Sequence, residues 1–543
     1  MRAMKLVSLV MLAVTLSTTG LSAQSGSKLS QEAEQTMLKA TKFMVEKVST
    51  NGGYLWYYTP DLSRRWGEME AYKTMIWLQN PGTTSVGHML LDAYRATGNE
   101  YYYQAAAKAA NAIIWGQSSE GGWNYVIDFA GDKSLKQWYN TIGKNGWRLE
   151  EFHHYYGNST YDDNITSNAA RFLLRMYVTK MDPTYKPALD KAINFILKSQ
   201  YPIGAWPQRY PLMYDFSKQG HPDYTSYYTY NDDVIWQNIH FLIQCYLTLG
   251  EQRFLDPIKR GMNFYLISQD GSGGWGQQMD MNLETAGART YEPKALLPRN
   301  TSAIIQQLLD FYQFTGDRKF INSIPEAIHW LEQTVLPADK TENGRYTHAK
   351  FLELGTNKPI YPHRKGSNVK YGYYYVDDND ENLLSHYGGK SYINIQELKN
   401  EYKRVSSMTA EEATRNSPLK EEAFSGAGIP QSYYDLSYER VIKIPVESVV
   451  RTIIQSLDKE NRWLIKHGMT SNPYIGDGKK QEPTDTYVKT MVGDETDTSP
   501  YRDSSDKEYI STGDYVKNMN MLINYVESTK NGLTEEQLKD RQR

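Results

Sequence analysis

The sequence predicts an all-α fold: an α/α toroid, here an incomplete α/α barrel of helical hairpins, with a small β-hairpin arm. Three observations lead there. A glycine-tryptophan turn recurs as QSSEGGW from Gln117 to Trp123, QYPIGAWPQ from Gln200 to Gln208 and QDGSGGW from Gln269 to Trp275. Each turn follows an apolar helical run, AAKAANAIIWGQ, ALDKAINFILKSQ or IKRGMNFYLISQ, and AIHWLEQTVLP is a fourth run lacking the tryptophan. Upstream of each lies a second run, LLDAYRATGNEYY, LLRMYVTKMDPTY, LIQCYLTLGEQRF or LLDFYQFTGDRKF, in which Tyr94, Tyr177, Tyr246 and Tyr312 hold equivalent places at intervals of 83, 69 and 66 residues. A two-helix unit with apolar residues at i, i+3, i+4 and i+7 cannot bury its inner face alone, so it stacks on its neighbours.

The glycine of each turn supplies positive φ where the chain leaves the helix, and the tryptophan plugs the gap between consecutive hairpins. Trp206 carries a second reading, as a platform for a sugar ring, and is kept as a substrate-binding candidate.

Along the chain, residues 1–23 have a basic start, an apolar stretch and a small-residue end, which reads as a signal peptide cleaved before Gln24 and places the mature protein outside the cytoplasm, secreted or periplasmic. Residues 24–394 form the toroid. It opens with a helix from Gln31 to Thr50 that ends at NGGYLW, a degenerate first copy of the turn. Between about 343 and 378 the period changes: RYTHAKFLELGTNKPIYPHR alternates around a Gly-Thr-Asn turn as a β-hairpin and is followed by the extended run VKYGYYYVDD. This arm is expected across one end of the toroid. Residues 395–543 form an extension in which VESVVRTIIQSLDKENRWLIKHG and YISTGDYVKNMNMLINYVES are helical and pack on the toroid, with loop-like acidic sequence between them.

The 543 residues carry a net charge of −3 with no basic run interleaved with aromatics, which argues against a nucleic-acid partner. Forty-four tyrosines and twelve tryptophans suit a long, wet cleft that grips sugars. The single cysteine, Cys245, lies on an apolar helical face and reads as packing, so neither a disulfide nor a lipid anchor is implied. No span is expected after signal cleavage, and no heptad or apolar surface pattern suggests anything beyond a monomer.

Three polar clusters fall near the starts of inner helices and would converge on one mouth of the ring. YDDNITSNAARFLL carries Asp162 and Asp163; YTYNDDVIWQNIHFL carries Asn231, Asp232 and Asp233; GARTYEPKAL carries Arg289, Glu292 and Lys294. Any one aspartate reads equally well as a helix cap. Paired acids in two successive copies, facing an arginine in a third, suit a cation or a sugar acid.

These segments resemble the signatures of the all-helical pectate lyases of polysaccharide lyase family ten. YPIGAWPQRYP from Tyr201 to Pro211 is similar to that family's YPNGGWPQ turn; YNDDVI resembles YNDNAM; GWGQQMD from Gly274 to Asp280 and ARTYEPKAL from Ala288 resemble GWCAQHD and ARAYELPSL. DDNIT at Asp162 to Thr166 stands where the family has DNGAT, and TNKPIY with HRKG stands where it has TNRPIF with RDG. The order is preserved over about residues 160 to 390.

The resemblance implies calcium-assisted β-elimination on polygalacturonate. It implies Arg289 as the base that takes the C5 proton, Asp162 as a catalytic residue beside it, and Asp162, Asp232 and Asp233, with Asp163, as oxygen ligands that bind Ca2+ and substrate. An arginine acts as a base only if desolvated or surrounded by cations, Lys294 among them; otherwise it clamps a carboxylate. Asn231, Lys294, Lys358, Arg364 and Trp206 are the expected substrate contacts. The departures are Ala205 for the second glycine of the turn, Met279 for a histidine, and the acids at Asp163 and Asp233. They bear on the cation site and its neighbouring subsite, so the sequence supports the reaction type better than the substrate.

Rival readings are a glycoside hydrolase using Asp162 and Asp232 across a water, and a non-catalytic glycan-binding toroid. The repeated turns also resemble those of terpenoid cyclases, but a DxDD-type acid motif is absent from the sequence and the clusters are polar.

Overall fold

The repeat in the sequence becomes a ring of helical hairpins in the computed structural model, which describes residues 28–540 except 147–149, 214–222, 366–372, 382, 384–388, 421–440 and 472–499. The expected signal peptide and much of the acidic stretch lie outside the described residues. Helices of nine or more residues are α1 (28–43), α2 (Thr83–Thr97), α3 (Glu100–Trp115), α4 (Asp132–Thr141), α5 (Ile165–Lys180), α6 (Lys186–Ser199), α7 (Val234–Leu249), α8 (Leu255–Ile267), α9 (Pro298–Thr315), α10 (Ile324–Gln333), α11 (Ile395–Ser406), α12 (Glu447–Gln455) and α13 (Thr512–Asn531).

The inner helices α2, α5 and α7 lie side by side, each packed on its outer partner α3, α6 or α8, and α9 with α10 continues the series. α13 lies along α2, and the strand just before it, Glu508–Ser511, pairs with Tyr57–Tyr58. α13, from the extension expected to be helical and to pack on the toroid, thus lies against α2 as part of the wall of the ring. The fold is an α/α toroid. Among the described residues, no helix is long and apolar enough to cross a membrane.

Each repeated turn is a small machine for joining hairpins. Gln117, Gln200 and Gln269 each donate from Nε2 to the turn carbonyl four residues on, at Gly121, Gly204 and Gly273 (2.8, 2.8 and 2.9 Å). The same amide also reaches a carbonyl of the next hairpin, at Ala188, Pro257 and Ser323 respectively. Trp123, Trp206 and Trp275 donate from Nε1 to Ile113, Ile196 and Tyr265 carbonyls and are fully buried. The glycine is required twice over: Gly204 has φ +112°, and a Cβ there would stand 2.1 Å from the Arg260 carbonyl oxygen.

Trp206 is therefore a plug, and its assignment as a sugar platform is corrected, because a ring with no exposed face cannot stack on a ligand. Cys245 is buried on α7, as its pattern suggested. The axis of the ring is polar: Arg175 donates to the His88 carbonyl (2.9 Å) and contacts Asp92, while Arg171 donates to Gln244 (2.7 Å) and Gln237 (3.2 Å). Burial, with Arg175 and Arg171 alongside, brings the His88 imidazole down to about 3.

The arm forms as a meander. Phe351–Leu352 pairs with Pro359–Lys365 through the Gly-Thr-Asn turn, and Pro359–Lys365 pairs with Tyr373–Asp377. A bridge between Leu352 and Leu296 ties it to the segment entering α9, so the arm borders the mouth of the ring.

Candidate functional site

The acids sit on two turns of identical conformation. Tyr161 and Tyr230 anchor them through hydroxyl contacts to Ser199 (2.6 Å) and Ser268 (2.5 Å). The next three residues, Asp162–Asn164 and Asn231–Asp233, form single helical turns leading into α5 and α7. In both, the second and third residues are left-handed: φ is 48° and 61° at Asp163 and Asn164, and 51° and 57° at Asp232 and Asp233. Such a conformation costs a residue with a Cβ about 1–2 kcal/mol, and neither Asn164 nor Asp233 makes a side-chain cap to its helix. A side-chain cap therefore does not explain Asn164 and Asp233, and the left-handed pair, which Asn and Asp adopt more readily than other residues, sets the direction of these side chains instead.

The structural register pairs Asp162 with Asn231, Asp163 with Asp232 and Asn164 with Asp233. This divides the acids expected to act as one ligand set. Asp162, Asp163 and Asp232 share a neighbourhood close enough to perturb one another, with Asp162 and Asp232 in direct hydrogen-bond contact. Asp233 instead faces Arg299 and Gln307. Solvent reaches it, yet the cleft walls desolvate its carboxyl and hold its pKa above the usual value.

Arg289 closes the cluster. Its Nη2 lies 2.6 Å from Asp162 Oδ2, and its Nη1 lies 3.1 and 3.2 Å from the two oxygens of Glu292, which also accepts from the Arg289 backbone N–H at 3.0 Å. Asp162, fully buried, also accepts from Gln208 Nε2 (2.8 Å) and from the Tyr125 hydroxyl. Burial alone would raise its pKa, but Arg289 and the hydrogen bonds from Asp232, Tyr125 and Gln208 hold it below the ordinary value. Burial and the charges of Asp162 and Asp163 push Asp232 well above.

Two expectations change here. Arg289 is flanked by carboxylates, whereas a base was expected to need cations, because Glu292 lies in its own loop and Asp162 faces it across the ring. The hydrolase alternative needs a water between Asp162 and Asp232, whereas the two carboxyls lie close enough to perturb one another directly.

Of the expected substrate contacts, Asn231 lines the site and donates to Asp232 (2.9 Å). Lys294 is exposed, 3.5 Å from Glu284, on the rim. Lys358 is exposed at the arm's hairpin turn, whose neighbour Asn357 is held by Trp330 Nε1 (2.9 Å) on α10; that anchor takes it to the outer layer, and it does not line the cavity described below. Arg364 is buried on the second strand of the arm, opposite Tyr374, and does not line that cavity either.

Sequence reasoning missed other residues. Gln79 donates to Asp163 (2.7 Å) and is itself held by Trp77 Nε1 (2.9 Å). Tyr125 lies in no motif, whereas Gln208 stood in the quoted YPIGAWPQ and was readable. Lys350, from the arm, enters a cavity of about 320 Å³ between α7 and α9 that also takes in Asn231, Asp232, Asp233, Trp236 and Arg299. Burial, with Arg299 and Arg289 opposing Glu292 and Asp232, lowers the Lys350 ammonium to about 8. Gln277 Nε2 and the Tyr265 hydroxyl also line this cavity, buried and with no hydrogen-bond partner among the described residues. Its charged lining is mixed, Arg299 and Lys350 against Asp232 and Asp233, and suits a polar ligand.

The donor chemistry also fits calcium in part. Asp163 and Asp232 are hard oxygen donors whose mutual repulsion a divalent cation relieves. Among the described residues no group of three or more His, Cys, Asp or Glu side chains is placed to hold a metal ion.

With this geometry in hand, the profile of the pectic acid lyase family matches residues 128–409, more than half of the chain. No curated protein sequence matches it. Among solved structures, a variant of the family 10 polysaccharide lyase from Cellvibrio cellulosa in complex with trigalacturonic acid is 17% identical, covers 51% of this chain and 86% of its own, and has a TM-score of 0.34. Cellobiose 2-epimerase from Bacillus thermoamylovorans is 12% identical over 93% and 99%, with a TM-score of 0.41. An α-1,6-mannanase variant from Salegentibacter sp. is 11% identical over 92% and 99%, with a TM-score of 0.35. Likenesses this distant say nothing of this chain's chemistry.

Proposed function

The chain belongs to the pectic acid lyase family, and on that premise we propose that it is an exported, monomeric polysaccharide lyase that cleaves polygalacturonate by β-elimination with the help of Ca2+. The observation that supports this reading is the convergence of Arg289 with the Asp162, Asp163 and Asp232 carboxylates at the mouth of the ring, where a cation and a uronate would meet; the ion pairs of Arg289 with Asp162 and Glu292 favour its charged form and must be relieved before it acts as a base.

The C5 proton of a uronate is weakly acidic, so a site that removes it must neutralise the adjacent carboxylate as enolate character develops. Arg289, in its neutral form, takes that proton. The electron pair left at C5 forms the C4–C5 double bond, the bond from C4 to the glycosidic oxygen breaks, and the leaving sugar oxygen takes a proton from solvent. An arginine with an ordinary pKa of about 12.5 or more reaches the neutral form only when its carboxylate partners are themselves satisfied. Tyr125 and Gln208 perform part of that for Asp162 by supplying two donors besides Arg289. Asp163 and Asp232 would hold the calcium ion, with Asn231 beside them; when bound, calcium supplies positive charge to the uronate carboxylate and to the acid cluster. Lys350 and Arg299 clamp a further uronate in the cavity between α7 and α9.

Turnover of polygalacturonate, followed by the ultraviolet absorbance of the unsaturated uronate product, tests the reading. New reducing ends without that absorbance would sink it in favour of hydrolysis, and binding without either would make the protein a glycan-binding toroid.

A further inference from the structure

The first hairpin departs from the repeat at one position that faces the site. Four residues before the first residue of α5 and of α7 stand Tyr161 and Tyr230, which anchor their own turns to Ser199 and Ser268. The equivalent residue before α2 is Gln79. It reaches into the next copy of the turn, where its Nε2 donates to Asp163 Oδ2 at 2.7 Å. Gln79 and Trp77 both lie outside residues 128–409, the stretch that matches the family.

The amide is fixed at both ends. Trp77 Nε1 donates to Gln79 Oε1 at 2.9 Å, and an indole N–H can only donate, so the amide oxygen faces Trp77 and the NH2 faces Asp163. The Gln79 carbonyl accepts from Trp56 Nε1 (3.0 Å) and from the Gly82 N–H (2.7 Å), which holds the backbone. Trp77 is fully buried, edge-on to Trp56 and Trp138 at 6.3 and 6.1 Å, so the indole that orients the amide is itself held by the core.

This contact differs in kind from the one at Asp162. Arg289 meets Asp162 with a full positive charge, whereas Gln79 meets Asp163 with a neutral amide. A neutral donor fixes the direction of a carboxylate without cancelling its charge, and the charge of Asp163 acts on Asp232. We propose that Gln79 is a positioning residue of the calcium site: oriented by Trp77, it holds Asp163 in the direction from which Asp163 and Asp232 take a divalent cation. This rests on the calcium part of the lyase reading, though binding tests it separately.

The experiment measures Ca2+ binding to the full chain by calorimetry, without substrate, for the wild type, Gln79→Met, Asp163→Asn and the double variant, with urea midpoints recorded alongside. Methionine keeps the length of Gln79 and removes its donor, and asparagine tolerates the left-handed backbone at Asp163. Gln79→Met is expected to lower Ca2+ affinity about 10- to 100-fold, the scale for losing an outer partner of a metal ligand. It should add little once Asp163 is asparagine, because it acts through that carboxylate. Trp77→Phe, which frees the amide to turn, should lose part of the same affinity with both acids intact. A lower urea midpoint with unchanged affinity in the folded Gln79→Met and Trp77→Phe proteins is what a merely structural role would give, and it would overturn the proposal. Losses that multiply in the double variant would overturn it too, since Gln79 would then act elsewhere. Wild-type protein that binds no Ca2+ would overturn it whether or not polygalacturonate is cleaved. If affinity falls as expected while polygalacturonate yields no unsaturated product, the lyase reading fails and the role of Gln79 stands.

Discussion

Arg289 and Asp162, 127 residues apart in the chain, meet at 2.6 Å with the arginine side chain 6% and the aspartate 0% exposed. A buried ion pair of this kind is a weak source of net stability but a costly one to break, about 3–5 kcal/mol when one partner is removed. Asp162→Ala should therefore lower both the urea midpoint and turnover. Asp162→Asn, which keeps the hydrogen bonds of Gln208 and Tyr125 in reach, should recover much of the stability and little of the turnover. Recovery of both together would mean that the carboxylate charge has no part in the reaction.

Trp206 tests the plug reading. Truncating a buried tryptophan costs about 3–5 kcal/mol, so Trp206→Ala should drop the unfolding free energy by that order while leaving KM for polygalacturonate unchanged in protein that remains folded. A raised KM with unchanged stability would restore the sugar-stacking role.

Two glycines separate backbone conformation from crowding. Gly250 has φ +71° with nothing within 4 Å of a built Cβ, whereas Gly204 has φ +112° and the Arg260 carbonyl in the way. Gly250→Ala should cost about 1 kcal/mol, the penalty of a left-handed residue. Gly204→Ala should cost several times more, because two hairpins must move apart. Denaturant unfolding of both variants checks the difference, and equal losses would contradict the turn's role as a joint.

The polar axis predicts acid sensitivity. Burial brings His88 and His240 each down to about 3, with Arg171 adding to both. Their folded values lie below the unfolded value, so the unfolded chain binds more protons between about pH 6.5 and 3, and stability falls as pH falls through that window. Unfolding free energy at pH 7 and pH 5 should differ, and His88→Gln should flatten the slope by up to about one proton. An unchanged slope would mean that His88 is already protonated in the folded chain.

The ring was legible because its joints are local: Gln, Gly and Trp within one short stretch report a turn and its two hydrogen-bond partners. The amphipathic helices were legible for the same reason, whereas α4 and α11, DKSLKQWYNT and IQELKNEYKRVS, were passed over because they are polar on the whole, although the few apolar residues of α11, Ile395, Leu398, Tyr402 and Val405, keep helical spacing. Convergence of the Asp162, Asp232 and Arg289 segments followed from the repeat and the resemblance, but the direction of each side chain did not. Two consecutive left-handed residues turn Asp233 away from Asp232, and sequence alone has no means of registering that rotation. Lys350 stayed hidden because KFLEL reads as an ordinary strand, and Trp206 was misplaced as a ligand platform because burial is a property of the neighbouring hairpin.

The most direct test of the account is the ultraviolet absorbance of unsaturated uronate released from polygalacturonate with calcium, then with a chelator, by the wild type and by Arg289→Ala. A calcium-dependent rise that is lost in the variant, while the variant still binds substrate, is the predicted result. A rise that persists in Arg289→Ala would contradict the assignment of the base, and no rise in the wild type, accompanied by new reducing ends, would contradict β-elimination itself.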